Sequence, residues 1–401
     1  MIRVNRMLAF RIRQIGSFLI VFGSLIGSVQ ADAWKRHVID DSAAGADGVR
    51  LLDIDQDGKL DIATGWEEAG LVRAYLHPQF ARVKQRWPQV TVGNVPKPED
   101  AVFCDLDQDG RFDLISCCEG STKSVFVHWS PKDVGQLLTS SSWTTEAIPA
   151  LVGQQAWMFC APGQIDGIGG PDLIVGSKGE NASISLLINP ARSRELNSWQ
   201  VIRLRDSGWI MSLQLHDMNQ DGAIDILLSD RRGTRRGVYW LENPGVEKIR
   251  NPESWREHLI GGQDHEVMFL DRFDFDADGR PEILTATQQG QLLLFSDRDG
   301  KWSAETIELP KGFRRGKGVA AGDIDKDGSI DFAATTEDGS VAWYRNTEQG
   351  WQIVPISTRD GIKFDRAELI DLDGDGDLDL ITCEERTGLG VIWYENPLLS
   401  Q

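Results

Sequence analysis

Seven short acidic segments constrain this chain more than any other feature. They begin at residues 53, 105, 164, 217, 274, 323 and 371 and read DIDQDGKLD, DLDQDGRFD, QIDGIGGPD, DMNQDGAID, DFDADGRPE, DIDKDGSID and DLDGDGDLD. The intervals between them are 52, 59, 53, 57, 49 and 48 residues. A unit of this length repeated seven times predicts an all-β fold, a seven-bladed β-propeller with four strands per blade. The repeats override the length prior of about 150 residues per domain, so residues 32–401 are expected to form one domain.

Each unit carries the same further parts. A short apolar strand precedes the acidic loop, as in Val49-Arg50-Leu51-Leu52, and a second follows it, as in Leu380-Ile381-Thr382. The third is aromatic, as in Val238-Tyr239-Trp240-Leu241, and the fourth starts at Trp34, Trp87, Trp143, Trp199, Trp255, Trp302 or Trp351. That tryptophan is expected to pack between blades. The chain opens on a lone fourth strand, Trp34 to Ile39, and closes after a third strand ending Tyr394-Glu395-Asn396-Pro397. Pairing the two completes the last blade from both ends of the chain and leaves no open edge there.

Within a loop, Asp at positions 1, 3, 5 and 9 gathers four carboxylates around a turn that Gly at position 6 permits. Like charges this close repel strongly unless a cation compensates them. Calcium takes six to eight oxygens at about 2.3–2.6 Å, and these side chains plus the carbonyl of position 7 supply most of them. The expected ligand sets are Asp53, Asp55, Asp57, Lys59 and Asp61; Asp105, Asp107, Asp109, Arg111 and Asp113; and Asp217, Asn219, Asp221, Ala223 and Asp225. The remaining sets are Asp274, Asp276, Asp278, Arg280 and Glu282; Asp323, Asp325, Asp327, Ser329 and Asp331; and Asp371, Asp373, Asp375, Asp377 and Asp379. The third loop keeps only Asp166 and Asp172, with Gln164 and Ile168 at the other two places, and is expected to be empty. About five or six structural calcium ions are therefore expected. Position 12 is never the bidentate Glu of a helix-loop-helix calcium site, and apolar residues flank position 9, so the loop sits between strands.

The pattern D-x-D-x-D-G-x-x-D on a β-hairpin, repeated seven times, resembles the FG-GAP/VCBS repeat family, which includes the propeller of integrin α chains. The resemblance covers essentially all of residues 32–401. The endings Trp-Tyr-Glu-Asn-Pro (393–397) and Trp-Leu-Glu-Asn-Pro (240–244), with Trp255-x-x-His258-x-Ile260, look like secreted bacterial members. The resemblance implies loops that bind calcium structurally. Many members have no assigned activity.

The first 31 residues read as a secretory leader: Arg3, Arg6, Arg11 and Arg13, an apolar stretch from Ile15 to Val29, and small residues up to Ala31. Cleavage near Ala31 is expected rather than an uncleaved anchor, because the apolar stretch falls short of the roughly 20 residues a bilayer span needs. No other segment is apolar enough to span. The formal charge is −19, and −23 once the four leader arginines are removed, which argues against a nucleic-acid partner. Five cysteines, an odd number, sit in apolar runs and are expected to be buried free thiols.

If the acidic loops lie at one end of the blades, the residues leading into the first strands lie at the other. These are Asp47, Glu99, Asp100, Trp157, Trp209, His265, Glu266, Arg315, Lys317, Asp365 and Arg366. Two exposed Trp beside acids and bases would suit a sugar or peptide; an ordinary polar rim is the other reading. Asp230 to Arg236 holds four Arg in seven residues, a solvated hairpin tip or a dock for an anionic group. His37 and His258 share one repeat position and are expected to face solvent.

No blade carries a large insertion and no Ser-His-Asp order, zinc spacing or phosphate loop appears, so a non-catalytic binding or adhesion module for carbohydrate or protein leads. The alternative is a carbohydrate-active lyase or dehydratase, a class that the resemblance reaches through rhamnogalacturonan lyases and aldos-2-ulose dehydratase. His265 and Glu266, with Arg315 or Lys317, would then act as base and charge stabiliser. His265, Glu266, Asp100 and Asp365 lining one closed pocket would favour that alternative, and the same groups scattered across an open rim would count against it.

Overall fold

The computed structural model describes residues 33–399. The expected leader and its cleavage point lie outside the described residues. No helix among the described residues is long and apolar enough to cross a membrane.

Seven antiparallel four-stranded sheets form the seven blades, and in six of them the strands are consecutive in sequence. Innermost strands touch those of both neighbours all the way round, including Phe364–Ile370 against Ala46–Leu52, which closes the ring. The seventh sheet runs Phe364–Ile370, Asp379–Glu384, Gly390–Glu395 and then Lys35–Asp40. Lys35 pairs with Glu395 and Val38 with Ile392, so the first and last strands of the described residues are zipped together as expected.

Second strands such as Asp61–Trp66, Asp225–Asp230 and Asp379–Glu384 are buried at every residue, because each is covered by a neighbouring blade on both faces. They therefore read as continuous apolar and small runs rather than as alternation. Outer strands such as Lys301–Glu308 are mostly exposed.

The repeated tryptophan is an anchor. Trp87, Trp143, Trp199 and Trp255 are buried, and each indole N–H donates to a carbonyl of the connection just before it: Val83, Leu137, Ser193 and Ile249, at 2.9–3.0 Å. Where that connection is short, before Trp302 and Trp351, the ring is only partly buried.

His37 and His258 are not the solvent-facing residues expected. His37 stacks on Trp393 with centroids 4.6 Å apart and its Nε2 lies 2.6 Å from Glu395. His258 repeats this on Trp240 at 3.9 Å and Glu242 at 2.6 Å. The third-strand Trp offers a flat face and the Glu two residues later an acceptor, so the imidazole is held on two sides. All five cysteines are buried and free.

Candidate functional site

The acidic loops share one internal wiring. In loop 1 the position-1 carboxylate, Asp53, accepts from the N–H of Asp57 at 3.0 Å and of Gly58 at 2.9 Å. Asp105, Asp217 and Asp274 do the same in loops 2, 4 and 5. Position 4 takes a left-handed backbone even without glycine, with φ of 62° at Gln56, 58° at Gln108 and 59° at Lys326. Glycine at position 6 continues the left-handed path. The turn curls the side chains of positions 1, 3 and 5 toward one point. Asp53, Asp55 and Asp57 each offer an oxygen within 4.8 Å of the others, as do Asp105, Asp107 and Asp109, and Asp274, Asp276 and Glu282. That spread matches oxygens sharing one cation at about 2.3–2.6 Å. Asp323 Oδ1 and Asp377 Oδ1 are buried with no hydrogen-bond partner.

Position 9 has a further duty. Asp61 accepts from the N–H of Ile54 at 2.9 Å and of His77 at 2.9 Å, joining the loop to the end of the third strand. In blades 3, 4 and 7 the residue at that strand end is Asn189, Asn243 or Asn396, whose backbone N–H donates to the position-9 Asp of its own blade. The amide side chains of the three donate to Leu106, Ile165 and Ile324, at position 2 of the preceding blade's loop. The Asn-Pro ending thus couples neighbouring acidic loops. Burial pushes Asp61 and Asp113 up to about 7 and Asp379 to about 8, against the backbone N–H donors that favour the charged form.

Loop 3 closes differently. Arg250 lies 3.1 Å from Asp166, the position-3 carboxylate, and Gln164 donates to the carbonyls of Gly169 and Gly170 at 2.8 and 3.3 Å. The local amide sets this loop apart, since Arg194, Arg345 and Lys84 likewise reach the position-3 Asp of loops 2, 6 and 7.

At the other end of the blades every first strand starts with a register shift against the second, falling between Asp47 and Arg50, Pro98 and Asp100, Trp157 and Phe159, and Ile210 and Ser212. The remaining three lie between Val267 and Leu270, Gly316 and Val319, and Phe364 and Ala367. A bulge re-aims the residue it carries. Here Glu99, Met158, Met211, Lys317 and Asp365 lie within the shifts, and all five line one cavity of about 240 Å³ at the mouth of the central channel. Asp47 and Trp209 join them, and so do residues at the ends of second strands: Glu67, Glu119, Lys178, Arg231 and Glu337.

The mouth has two characters. Blades 3 to 5 give an apolar wall of Met158, Phe159, Met211 and Phe269, all buried. Blades 6, 7 and 1 give a charged network, in which Lys317 reaches Asp365 at 3.0 Å and Glu385 at 3.8 Å, and Lys363 pairs with Glu385. Burial, with the charges of Asp365 and Glu385 beside it, raises Asp47 well above the usual carboxylate range. Burial acts the same way on Asp365, but the Lys317 ammonium overrides it and holds that carboxyl at about 2. Glu99 is pushed up to about 8 by burial, opposed by Lys178 at 3.1 Å.

Five of the eleven residues expected at this face therefore meet: Asp47, Glu99, Trp209, Lys317 and Asp365. Others do not. Trp157 is not an exposed platform; it is 1% accessible and donates to the Leu151 carbonyl at 3.2 Å, because its bulged strand turns it between blades. Asp100 is buried, holding Arg50 through two hydrogen bonds at 2.9 and 3.0 Å and the Cys160 N–H at 3.1 Å. Arg366 lies in a separate cavity with Arg50 and Glu368. On the outer rim, His265 meets Gln291 at 3.2 Å, Glu266 pairs with Arg231 and Arg232, and Arg315 pairs with Glu337. The second-strand ends were missed in sequence. Their signal is positional, since Glu67, Glu119, Arg231 and Glu337 each follow directly on a buried second strand and Lys178 ends one.

The family profile described as FG-GAP-like repeat matches residues 274–334 and 323–382, which span loops 5, 6 and 7. A search of curated proteins returns no match. Among solved structures, the crystal structure of BBS1N in complex with ARL6DN is similar, with a TM-score of 0.55 and 11% identity over 92% of this chain and 98% of that one. At that identity the likeness speaks for the fold alone. The chain is a seven-bladed β-propeller that carries FG-GAP-like repeats.

Proposed function

We propose that this chain is a non-catalytic binding module, stiffened by calcium in six of its seven acidic loops, which meets a carbohydrate or protein ligand at the channel mouth. The observation that carries this is the division of labour between the two ends of the blades. One end repeats a single wiring blade after blade. The other is built from individually different residues around a cavity, as selective recognition requires.

Two features support calcium: converging oxygens within 4.8 Å in loops 1, 2 and 5, and a buried Asp323 oxygen without a donor. Asp, Asn and Glu side chains with a carbonyl are the hard oxygen donors that calcium prefers. The leader-like first 31 residues support export, where free calcium is plentiful.

The lyase reading loses its site, because His265, Glu266 and Asp100 do not line a pocket with Asp365. Burial raises Glu266, but the Arg231 and Arg232 guanidiniums together outweigh it and hold the carboxyl below the usual range, so it is a weak base. The test is a glycan and peptide binding screen on calcium-loaded protein, with Trp209→Ala and Lys317→Met as mouth variants. Binding that either variant abolishes is expected. Turnover of a polysaccharide that the same variants abolish would replace the binding module with an enzyme.

A further inference from the structure

The hairpin tip at 231–236 is positively charged on a chain whose formal charge is −19. Arg231 and Arg232 share one carboxylate, Glu266, at 2.8 and 3.4 Å. Arg235 shares Glu257 with Arg205, which also holds Asp230 at 2.8 Å. Arg236 is left to donate to the Gln263 carbonyl. A hydrogen-bonded path leads from here across blade 5: the Glu266 N–H meets Gln289, neighbouring Gln288 meets Glu337 at 2.6 Å, and Glu337 meets Arg315 at 3.5 Å. Beside Arg315, Lys311 and Arg314 are exposed, with no carboxylate partner among the described residues. Arg236, Lys311 and Arg314 are thus the cations of this arc that no carboxylate pairs among the described residues.

The arc is held ready. Arg231 and Arg232 each lie 4.7 Å from the Trp209 ring. Trp209 is held through its backbone, whose N–H donates to Asp230 at 2.9 Å. A Cβ on Gly208 would stand 1.9 Å from the Arg232 carbonyl oxygen, so the tip is seated directly on that glycine. Guanidiniums pinned on an aromatic face lose little further freedom on binding. Their forks match carboxylate or sulfate oxygens two at a time.

We propose that this arc, from Arg231 through Arg236 to Lys311 and Arg315, is a docking surface for an anionic polysaccharide. The proposal goes beyond the mouth-binding reading and adds a second surface beside the mouth, which Arg231 also lines. The surplus of positive charge is small and local. A nucleic acid, with about one charge per 1.7 Å of duplex, would bring far more charge than the arc compensates, against a strongly acidic remainder. A sugar chain spaces its anions more widely and adds hydroxyls for the Gln side chains and carbonyls between the two basic clusters.

The experiment is calorimetric titration of the calcium-loaded chain with dextran sulfate, polygalacturonate, unmodified dextran and oligodeoxythymidine. It is repeated with Arg232→Gln/Arg235→Gln/Arg314→Gln and with Arg192→Gln, an exposed arginine on the acidic-loop side, as control. Binding to at least one anionic polysaccharide but not to dextran is expected, and the two anions tell sulfate from carboxylate recognition. The triple variant should weaken it at least tenfold and flatten its salt dependence, while Arg192→Gln leaves it unchanged. Absence of anionic polysaccharide binding, equal binding to dextran, tighter binding of oligodeoxythymidine, or a triple variant that binds like wild type would overturn the proposal. Unchanged melting of the variants separates that failure from a failure to fold, and mouth-dependent binding of another ligand would leave the binding module standing.

Discussion

Replacing Asp100 by alanine tests whether the first-strand acids are ligands or struts. Asp100 is 1% exposed, at the junction of three blades: Arg50 comes from blade 1 and the Cys160 N–H from blade 3. Alanine would leave the largely buried Arg50 guanidinium without its bidentate partner and one buried N–H without an acceptor. Breaking a buried pair from one side costs about 3–5 kcal/mol. With an unfolding entropy of about 2.1 cal/mol/K per residue over roughly 370 residues, that corresponds to a Tm lower by about 4–6 °C. Asp100→Asn, which keeps an acceptor for Cys160, should fall in between. The double variant Arg50→Met/Asp100→Leu removes both charges and should recover most of the loss, because a buried pair is worth little against apolar groups of similar volume. Thermal melts and denaturant titrations at fixed calcium measure all of these. An Asp100→Ala protein within about 1 kcal/mol of wild type, but deficient in ligand binding, would refute the structural role.

Three further outcomes follow from the packing. Gly93→Ala would place a Cβ 2.3 Å from the His128 ring, so it should destabilise by about 1–3 kcal/mol in a denaturant titration, and a neutral result would contradict the packing between blades 1 and 2. Burial lowers His128 to about 3, which keeps it neutral in the fold while the unfolded chain takes up a proton below about 6.5. Its contribution is thus complete above pH 6.5 and declines by about 1.4 kcal/mol per unit as pH falls toward 3. The stability gap between wild type and His128→Gln should therefore narrow from pH 7 to pH 5, whereas a constant gap would show that the imidazole is accessible. Asn243→Ala removes the side-chain bonds to the Ile165 carbonyl of loop 3 and the Ile224 carbonyl and the acceptor of the Gly245 N–H, and should cost at least about 1 kcal/mol, while an unchanged melt would mean that these bonds contribute nothing.

The fold was legible because its signal repeats. Seven acidic loops at near-constant spacing, a tryptophan at one phase and a third strand left without a fourth predicted the blade count and the closure by Lys35–Asp40. The face opposite the loops was only partly legible. Asp47, Glu99, Lys317 and Asp365 were reached because they lead into inner strands, but whether a side chain there points into the channel or between blades depends on a bulge. One residue of phase sends Trp157 inward and Met158 to the mouth, and no composition signal separates the two. His37 and His258 went wrong for a related reason. They lie on outer strands, where solvent exposure is the usual expectation, and the covering Trp393 and Trp240 come from the neighbouring strand. The Asn of Glu-Asn-Pro was visible as a motif, yet its bond to the preceding blade's loop is a tertiary relation that sequence spacing does not encode.

The central claim is that the acidic loops are cation sites that hold the disc together. Metal analysis of the protein purified without chelator, paired with its melt before and after calcium removal, tests it most directly. Five or six calcium ions per chain and a sharp fall in Tm on chelation, restored by added calcium, are expected. An Asp166→Ala variant in loop 3 should keep the full metal count. A protein free of calcium that melts identically with and without chelator would contradict the claim, leaving the loops as acidic turns closed by their own backbone.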